Sequence, residues 1–212
     1  MKTKSPVYIH LGEAVENPPV GSSHWFGYPD LPPDMEIPQI EEDGESYALT
    51  LVCQINLSDL PLQPAQKGLL LFFADIAYYG GHWDAPSIGS DISDNRVCRV
   101  VYVPAEKMGT LVSCREYFFE QDEPKAIGLT FNRDKPTLAE PELQLFGRTD
   151  HLEWEDWPTP CEGWQLLLMM DSMSGEDYSY NFIDFGVLCF LIEREALERK
   201  DFSNVKTIIL ST

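Results

Sequence analysis

Two stretches of the chain share one plan, and this plan constrains the fold more than any other feature of the sequence. Each stretch, Leu49–Asp75 and Trp164–Ile192, contains two apolar runs joined by a polar connection. In the second stretch the runs are Gln165–Met170 and Gly186–Ile192. Short, continuous apolar runs of this kind are typical of buried strands. The sequence therefore predicts two pairs of strands in the interior of a sheet.

The two stretches belong to a longer series of landmarks that recurs along the chain. The apolar runs recur at offsets of 115 and 118 positions, and Asp30 has a counterpart in Asp150. Two dipeptides recur at an offset of 120 positions: Phe26–Gly27 as Phe146–Gly147, and Ile37–Pro38 as Trp157–Pro158. Landmarks that recur in the same order indicate an internal duplication. The predicted halves cover approximately residues 20–105 and 140–212.

This duplication leads to a specific fold prediction. Neither half would need to close its own sheet edge if both halves shared one core. We therefore predict a single domain over residues 1–212, of the α+β class and rich in β structure. It would consist of two intertwined, internally duplicated halves with approximate twofold symmetry and few short helices. The groove where the halves meet is the predicted binding site.

Turn and periodicity signals complete the predicted element order. Residues 1–46 contain repeated prolines, which predict an ordered but irregular arm. Helices are predicted only as one turn at Ser58–Pro61 and two turns at Glu193–Lys200. Strands are predicted at Tyr47–Ile55, Gly68–Ala74, Val97–Val103, Leu111–Phe119, Ile127–Asn132 and Val205–Leu210, besides the two runs of the second stretch.

The charge of the chain excludes several classes of partner. It has 15 Lys and Arg residues against 35 Asp and Glu residues, which gives a net charge of −20. No basic patch is visible, so we expect neither nucleic-acid binding nor binding to an anionic membrane. The acidic charge has two remaining readings, which are solubility and attraction to a basic protein partner.

The cysteine pattern and the first residues predict a cytoplasmic protein. The five cysteines are odd in number and widely spaced, and no CxxC pair occurs. The N-terminus lacks the apolar segment of a secretory signal. The longest apolar run, Leu69–Ala74, is too short to cross a bilayer. These features are those of a reduced, cytoplasmic environment.

Four polar residues are predicted to line the groove between the halves: Gln54, Asn56, Asp171 and Asp184. Asn56 and Asp171 each follow directly after a predicted strand, which would place both near the symmetry axis. The alternative is that such residues cap ordinary strand ends through Asx turns. The sequence leaves both readings open.

Other candidate chemistry has no matching motif. His82, Asp84, Asp91 and Asp94 could gather metal ligands, and two of Glu176, Asp177 and Asp184 could bind a divalent cation or form an acid–base pair. Their spacing matches no known metal signature, so solvated acidic loops are the alternative. No nucleophile elbow, phosphate loop or zinc pair occurs. We therefore predict no metal, no cofactor and no catalytic residue.

Several motifs together resemble the YwqG-like proteins, a bacterial group of cytoplasmic proteins without an assigned activity. The matching segments are Gly27–Pro32, Val52–Leu57, Gly68–Phe73, Leu166–Ser172, Asp184–Ile192 and Asp201–Ser203. The chain departs from the pattern at Ile37, where Trp is usual, at Met169, where Gln is usual, and at Ile183–Phe185, where Trp-Gly-Asp is often found. The resemblance implies two intertwined, similar α+β halves, and it implies no reaction.

Two functional hypotheses follow. The first is an interaction module whose acidic surface binds a basic protein, as a protective partner of a basic toxin enzyme or a regulatory adaptor would. The tryptophans within Glu153–Trp164 could add a recognition surface, or they could serve packing. The second hypothesis is a small-ligand-binding protein or enzyme that uses the predicted groove. The missing catalytic motifs favour the first.

Overall fold

The computed structural model describes residues 5–42, 44–81, 83, 88, 96–115, 125–137, 140–147, 163–175 and 178–211. Its strands are β1 Val7–Val15, β2 His24–Trp25, β3 Asp30–Leu31, β4 Gln39–Glu42, β5 Glu45–Ala48, β6 Thr50–Asn56, β7 Leu69–Ala74, β8 Cys98–Val103, β9 Val112–Ser113, β10 Ala126–Asn132, β11 Gln144–Leu145, β12 Trp164–Asp171, β13 Met173–Ser174, β14 Ser179–Tyr180, β15 Val187–Glu193 and β16 Lys206–Leu210. The α-helix α1 spans Arg194–Arg199, and 3-10 helices span Tyr78–Gly80 and Ala105–Thr110.

Ten of these strands form one antiparallel sheet. Their order is β16–β15–β12–β11–β1–β10–β2–β6–β7–β8. The remaining six strands form three two-stranded sheets, which are β13–β14, β3–β9 and β4–β5. The paired apolar runs of the sequence are therefore strands of one large sheet, and each run has a strand neighbour on both sides.

The prediction of an α+β fold is wrong. Strands account for 46% of the described residues and helices for 10%, so the protein is mostly β. The predicted helical turn at Ser58–Pro61 is a turn in which the N–H of Asp59 donates to the carbonyl of Asn56 at 3.0 Å. The proline-rich arm contains the nine-residue strand β1, because no proline interrupts Val7–Val15.

The predicted arrangement of two intertwined halves is wrong as well. The strand order defines one ten-stranded sheet, and the described residues do not show an internal duplication. The recurrence of apolar runs reflects a requirement that all buried strands share, because strands with neighbours on both sides are apolar along most of their length. Trp157 and Asp150, which were two of the predicted landmarks, lie outside the described residues.

The described residues divide into two compact units. The first unit comprises the described parts of His10–Ala74 and Arg99–Phe131. The second unit comprises the described parts of Met1–Ile9, Asp75–Cys98 and Asn132–Thr212. The single domain over residues 1–212 stays a prediction.

The first unit is built around the antiparallel pair β6–β7. The register runs from Thr50 opposite Ala74 to Asn56 opposite Leu69, with an irregularity between Leu51 and Cys53. All six residues of β7 are buried. One face of this pair packs into a core cluster of Leu31, Ile37, Leu49, Leu51, Leu69, Leu71, Phe73 and Val103. Gln54 lies opposite Leu71 in this register, so its polar side chain is on the same face of the sheet as that core.

The second unit is built around β12, β15 and β16. Asp171 pairs with Val187 at one end of β12, and Trp164 pairs with Glu193 at the other. The predicted helix at Glu193–Lys200 is confirmed as α1, which follows β15 directly. It ends at Lys200, whose φ of 57° is left-handed and whose N–H donates to carbonyls of the helix. The β12–β15 connection carries the hairpin β13–β14 and a turn at residues 182–186.

Candidate functional site

Gln54 lies at the centre of a buried hydrogen-bond network in the first unit. Its Nε2 donates to Oδ2 of Asp30 at 2.6 Å and to the carbonyl of Ser22 at 2.9 Å. Its Oε1 accepts from the N–H of Asp30 at 2.9 Å, and the N–H of Gly21 donates to the same Oδ2 at 2.7 Å. Gln54 is 0% and Asp30 3% exposed. The network therefore fastens the segment from Gly21 to Asp30 onto β6.

Asn56 ends β6 with an Asx turn. Its Oδ1 accepts from the N–H of Ser58 at 3.0 Å, and its Nδ2 donates to the carbonyl of Gly21 at 2.8 Å. Its own N–H donates to Oγ of Ser23 at 2.8 Å, and that hydroxyl donates to Oδ2 of Asp59 at 2.6 Å. This is the strand-end cap that the sequence left open as the alternative to a binding role.

His24 is a buried imidazole beside this network. It pairs with Gln54 across β2 and β6, and it is 1% exposed. Its Nδ1 lies 2.5 Å from the carbonyl of Phe26, whereas its Nε2 has no hydrogen-bond partner among the described residues. Burial lowers the pKa of His24, and the hydrogen bond to Phe26 and the charge of Asp30 oppose this effect only in part. We therefore assign a neutral imidazole whose Nδ1–H donates to Phe26.

The lowered pKa of His24 predicts a loss of stability in mild acid. The unfolded chain binds a proton at this residue near pH 6.5, whereas the folded chain resists it. The free energy of unfolding should therefore fall as the pH drops below 6.5, with a limiting slope of about 1.4 kcal/mol per pH unit for one proton. Urea unfolding from pH 7.5 to 5 measures this contribution as the difference between the wild type and His24→Gln. Parallel curves for the two proteins would contradict it.

Asp171 is half-buried at the end of β12 in the second unit. Its Oδ2 accepts from the N–H of Glu142 at 3.2 Å, and the carboxylate of Glu142 pairs with Lys135 at 2.9 Å. Between the adjacent strands β11 and β12, Nε2 of Gln144 donates to Sδ of Met169 at 3.6 Å. Asp171 thus positions the backbone that leads into β11.

Asp184 lies in an exposed turn of unusual backbone geometry. Ile183, Asp184 and Phe185 have φ angles of 42°, 49° and 62°, so three consecutive residues are left-handed. Each non-glycine residue in this conformation costs about 1–2 kcal/mol, and a β-branched residue such as Ile183 is especially unusual there. A local strain of this size persists only where the surrounding structure enforces it.

Hydrogen bonds at both ends of the turn enforce this geometry. The N–H of Gly186 donates to the carbonyls of Phe182 at 2.7 Å and Ile183 at 3.0 Å. Oγ of Ser172 donates to the carbonyl of Gly186 at 2.7 Å and accepts from the N–H of Phe182 at 2.9 Å. Oδ1 of Asn181 accepts from the N–H of Phe185 at 2.9 Å. These bonds fasten the turn to the end of β12.

Among the described residues of the second unit, three large apolar side chains are exposed: two belong to this turn, and the third is Trp83, which a series of ring contacts links to Phe182 at the start of the turn. We define the aromatic surface by these side chains, Trp83, Ile183 and Phe185, which are 73%, 38% and 79% exposed. A series of aromatic contacts supports it. The ring centroids of Trp83 and Tyr78 lie 5.5 Å apart, those of Tyr78 and Tyr79 lie 5.3 Å apart, and those of Tyr79 and Phe182 lie 5.3 Å apart. The buried ring of Phe182 directly precedes the left-handed residues.

The four predicted site residues fall into two groups. Gln54 and Asn56 share one network in the first unit, while Asp171 and Asp184 lie in the second unit. Asp184 alone is exposed. Most of the other predicted candidates lie outside the described residues: His82, Asp84, Asp91, Asp94, Glu176, Asp177, Trp154 and Trp157. Trp164, the last tryptophan of the predicted cluster, is buried. No group of three His, Cys, Asp or Glu ligands occurs in the described part of the chain.

Sequence reasoning missed Trp83, Ile183 and Phe185 as surface residues. No residue type in Ile183–Phe185 indicates the conformation of this turn. A glycine would have indicated a left-handed residue, and the chain has none at these three positions. The exposed orientation of Phe185 was therefore not readable from residue types.

Comparison with known proteins places the chain in a family. The model of a domain of unknown function, DUF1963, matches residues 23–209. The chain belongs to the DUF1963 family. The match includes Gln54, Asp30 and the three residues of the aromatic surface. No curated protein matches this DUF1963 chain.

The DUF1963 family description states no activity. Among the described residues of this DUF1963 protein, no helix has the length and apolar character needed to span a membrane. Two features of the described residues bear on function. One is a buried polar network whose groups bond to one another, and the other is an exposed aromatic surface.

Proposed function

We propose that this DUF1963 protein is a non-catalytic interaction module that binds a basic protein partner. The observation that carries the proposal is the exposure of Trp83 and Phe185 on a chain of net charge −20. Aromatic residues, tryptophan above all, are enriched among the residues that dominate binding energy in protein interfaces. An acidic chain attracts and orients a basic partner and repels another acidic one.

The geometry of the turn supports a binding role over a purely structural one. A chain optimised only for stability would place glycine or asparagine at left-handed positions. Here Ile183 and Phe185 occupy two of them, and both side chains are exposed. The hydrogen bonds of the turn thus hold two apolar side chains in water, which favours a surface that a partner covers.

The proposal includes a cellular setting. Cys53 and Cys189 are buried free thiols, which suits a reduced, cytoplasmic compartment. Membership of the bacterial YwqG-like group is part of the proposal and rests on the motif resemblance. A protective partner of a basic toxin enzyme and a regulatory adaptor both match an acidic module of this kind.

A small-ligand-binding protein or enzyme is the second candidate. The orphan Nε2 of buried His24 favours it, because a buried polar atom without a partner is uncommon. Against it, the amide groups of Gln54 and Asn56 are already occupied by the chain itself. A thermal-shift screen with metals and metabolites tests this candidate, since a ligand at 100 times its Kd adds about 2.7 kcal/mol.

We expect the interaction to depend on salt and on the aromatic surface. A basic protein retained by the immobilised wild type at about 0.05 M salt should be released at about 0.5 M, because salt screens exposed charges. The double variant Trp83→Ala/Phe185→Ala should bind the same purified partner about tenfold or more weakly, as for interface aromatic residues. Mass spectrometry identifies the partner, and calorimetry measures its Kd.

The matched control is Tyr47→Ala. Tyr47 is an exposed aromatic residue of the first unit, 50% exposed, and lies outside the aromatic surface. Its replacement should leave the affinity for the partner unchanged. Failure to retain any basic protein at either salt concentration would contradict the proposed function. Equal binding by the wild type and the double variant would contradict the role of the surface.

A further inference from the structure

We infer that the aromatic surface recognises an arginine side chain of the partner, held between the ring of Phe185 and the carboxylate of Asp184. This inference rests on the proposed function and names the chemistry of its contact. The two residues are consecutive in the turn, both are exposed, and both are left-handed. The surface therefore offers an aromatic face and a negative charge from adjacent positions.

Neither group is engaged by another residue in the described part of the protein. Asp184 has no hydrogen bond or ion pair, and Phe185 no ring contact, among the described residues. The N–H of Phe185 is bonded to Asn181, so the backbone of the turn is satisfied while its two central side chains remain available. Trp83 adds a second exposed ring, which Tyr78 holds in an edge-to-face contact.

Arginine matches this pair of groups better than lysine does. A guanidinium is planar and weakly hydrated, so it stacks on an aromatic face, and its fixed fork of donors bonds a carboxylate through two N–H groups. A lysine ammonium is a strongly hydrated point charge that supplies no plane for stacking. The chain already contains cations over aromatic rings, with Arg115 at 5.4 Å from the ring of Tyr28 and Lys206 at 5.8 Å from that of Trp164.

The charge of the chain decides between a basic partner and a second copy of this protein. Two copies would bring together two chains of net charge −20, which repel one another. A basic segment instead neutralises the carboxylate as its side chain covers the ring. The occupant we propose is therefore an exposed, arginine-containing segment of the basic partner.

Synthetic peptides test this chemistry directly. Hexa-arginine, hexa-lysine and hexa-citrulline should be titrated into the full chain by calorimetry at about 0.15 M salt, where remote charges are partly screened. We expect hexa-arginine to bind severalfold more tightly than hexa-lysine and hexa-citrulline not to bind. Phe185→Ala should weaken hexa-arginine binding about three- to tenfold, as for a cation–π contact, and should remove the preference over hexa-lysine.

Two substitutions at Asp184 separate the carboxylate from the backbone strain. Asp184→Asn keeps a residue that tolerates the left-handed conformation and removes the charge, so hexa-arginine binding should weaken severalfold with an unchanged denaturation midpoint. Asp184→Gly also removes the strain, so the midpoint should rise while binding weakens to the same extent. A folded, more stable variant that binds less cannot owe its loss to misfolding.

The outcomes separate this inference from the proposed function. Equal affinities for the two basic peptides, with no effect of Phe185→Ala, would overturn the arginine contact and leave the salt-sensitive basic partner standing. Loss of all binding to basic peptides and basic proteins would overturn both. A dimer that depends on Phe185 in analytical ultracentrifugation would also overturn the inference, because a second copy would then cover the surface.

Discussion

Gly186→Ala is expected to lower the free energy of unfolding by about 3 kcal/mol or more, because the residue has no room for a Cβ atom. A Cβ at this position would lie 2.2 Å from the carbonyl oxygen of Leu210 and 2.5 Å from that of Phe182. Both are backbone atoms, so no side-chain rotation relieves the contact. Either the β15–β16 pairing at Val187 and Leu210 or the turn held by Phe182 has to move. Urea denaturation followed by tryptophan fluorescence measures the loss.

Two other glycines supply matched controls for this substitution. Gly109 has no neighbour within 4 Å of an added Cβ, so Gly109→Ala should change the free energy of unfolding by less than about 0.5 kcal/mol. Gly163 also has open space but a φ of 85°, so Gly163→Ala isolates the cost of a left-handed backbone at about 1 kcal/mol. Equal losses at all three positions would show that crowding at Gly186 is not the cause.

Gln54→Leu is expected to destabilise the chain by about 3 kcal/mol through the loss of three hydrogen bonds, two of them buried. The change removes the Nε2 group that donates to Oδ2 of Asp30 and to the carbonyl of Ser22. It also removes the Oε1 atom that accepts from the N–H of Asp30. A buried group left without a partner costs about 1–3 kcal/mol, and a carboxylate costs more. The remaining bond from Gly21 to Asp30 limits the loss. The midpoint of urea denaturation at pH 7.5 reports it.

The control for Gln54→Leu is the same substitution at Gln66. The Nε2 of Gln66 makes one exposed bond to the carbonyl of Pro64, so its loss should cost little. If Gln54→Leu lowered stability by less than about 1 kcal/mol, the network would not be a structural fastening. Gln54 would then deserve testing as a ligand-binding residue, and the thermal-shift screen on this variant would decide the matter.

Some elements of the fold can be predicted from residue types, whereas others depend on tertiary contacts. The apolar runs predicted the strands β6, β7, β12 and β15 because continuous burial leaves a local record in the sequence. The helix α1, Arg194–Arg199, lies within the helix predicted at Glu193–Lys200, where every residue is a strong helix former. In contrast, β2 and β11 are two residues long and carry no periodicity that a pattern could reveal.

The fold class was predicted wrongly because turn and proline signals are local, whereas strand pairing depends on residues far apart in the chain. The turn at Ser58 begins with a capping residue and ends at a proline, as a helix would, yet Asn56 closes it as an Asx turn. Residues 1–46 looked irregular because prolines dominate them, yet Val7–Val15 finds strand partners far along the chain. Such pairings depend on residues more than one hundred positions apart, as between Val7 and Leu145.

The candidate site shows the same division. Gln54 was predicted as a polar residue lining a groove, and Asn56 as a polar residue at a strand end. Their hydrogen bonds to Ser22 and Gly21 arise only when the chain folds back onto β6. Asp184 was identified as an acidic residue of a connection. The exposure of its neighbour Phe185 follows from a left-handed backbone that three ordinary residues do not announce. That backbone is enforced by Ser172 from outside the turn and by the N–H of Gly186 at its end.

The sequence by itself determined the buried strands, the terminal helix and the acidic charge, because burial periodicity and charge are properties of neighbouring residues. Only the tertiary structure decided the single ten-stranded sheet, the hydrogen bonds of Gln54 and the exposed ring of Phe185. The physical reason is that buried polar atoms and strand edges must find partners anywhere in the chain. Long-range closure of the backbone therefore selects which distant residues meet and which side chains are left at the surface.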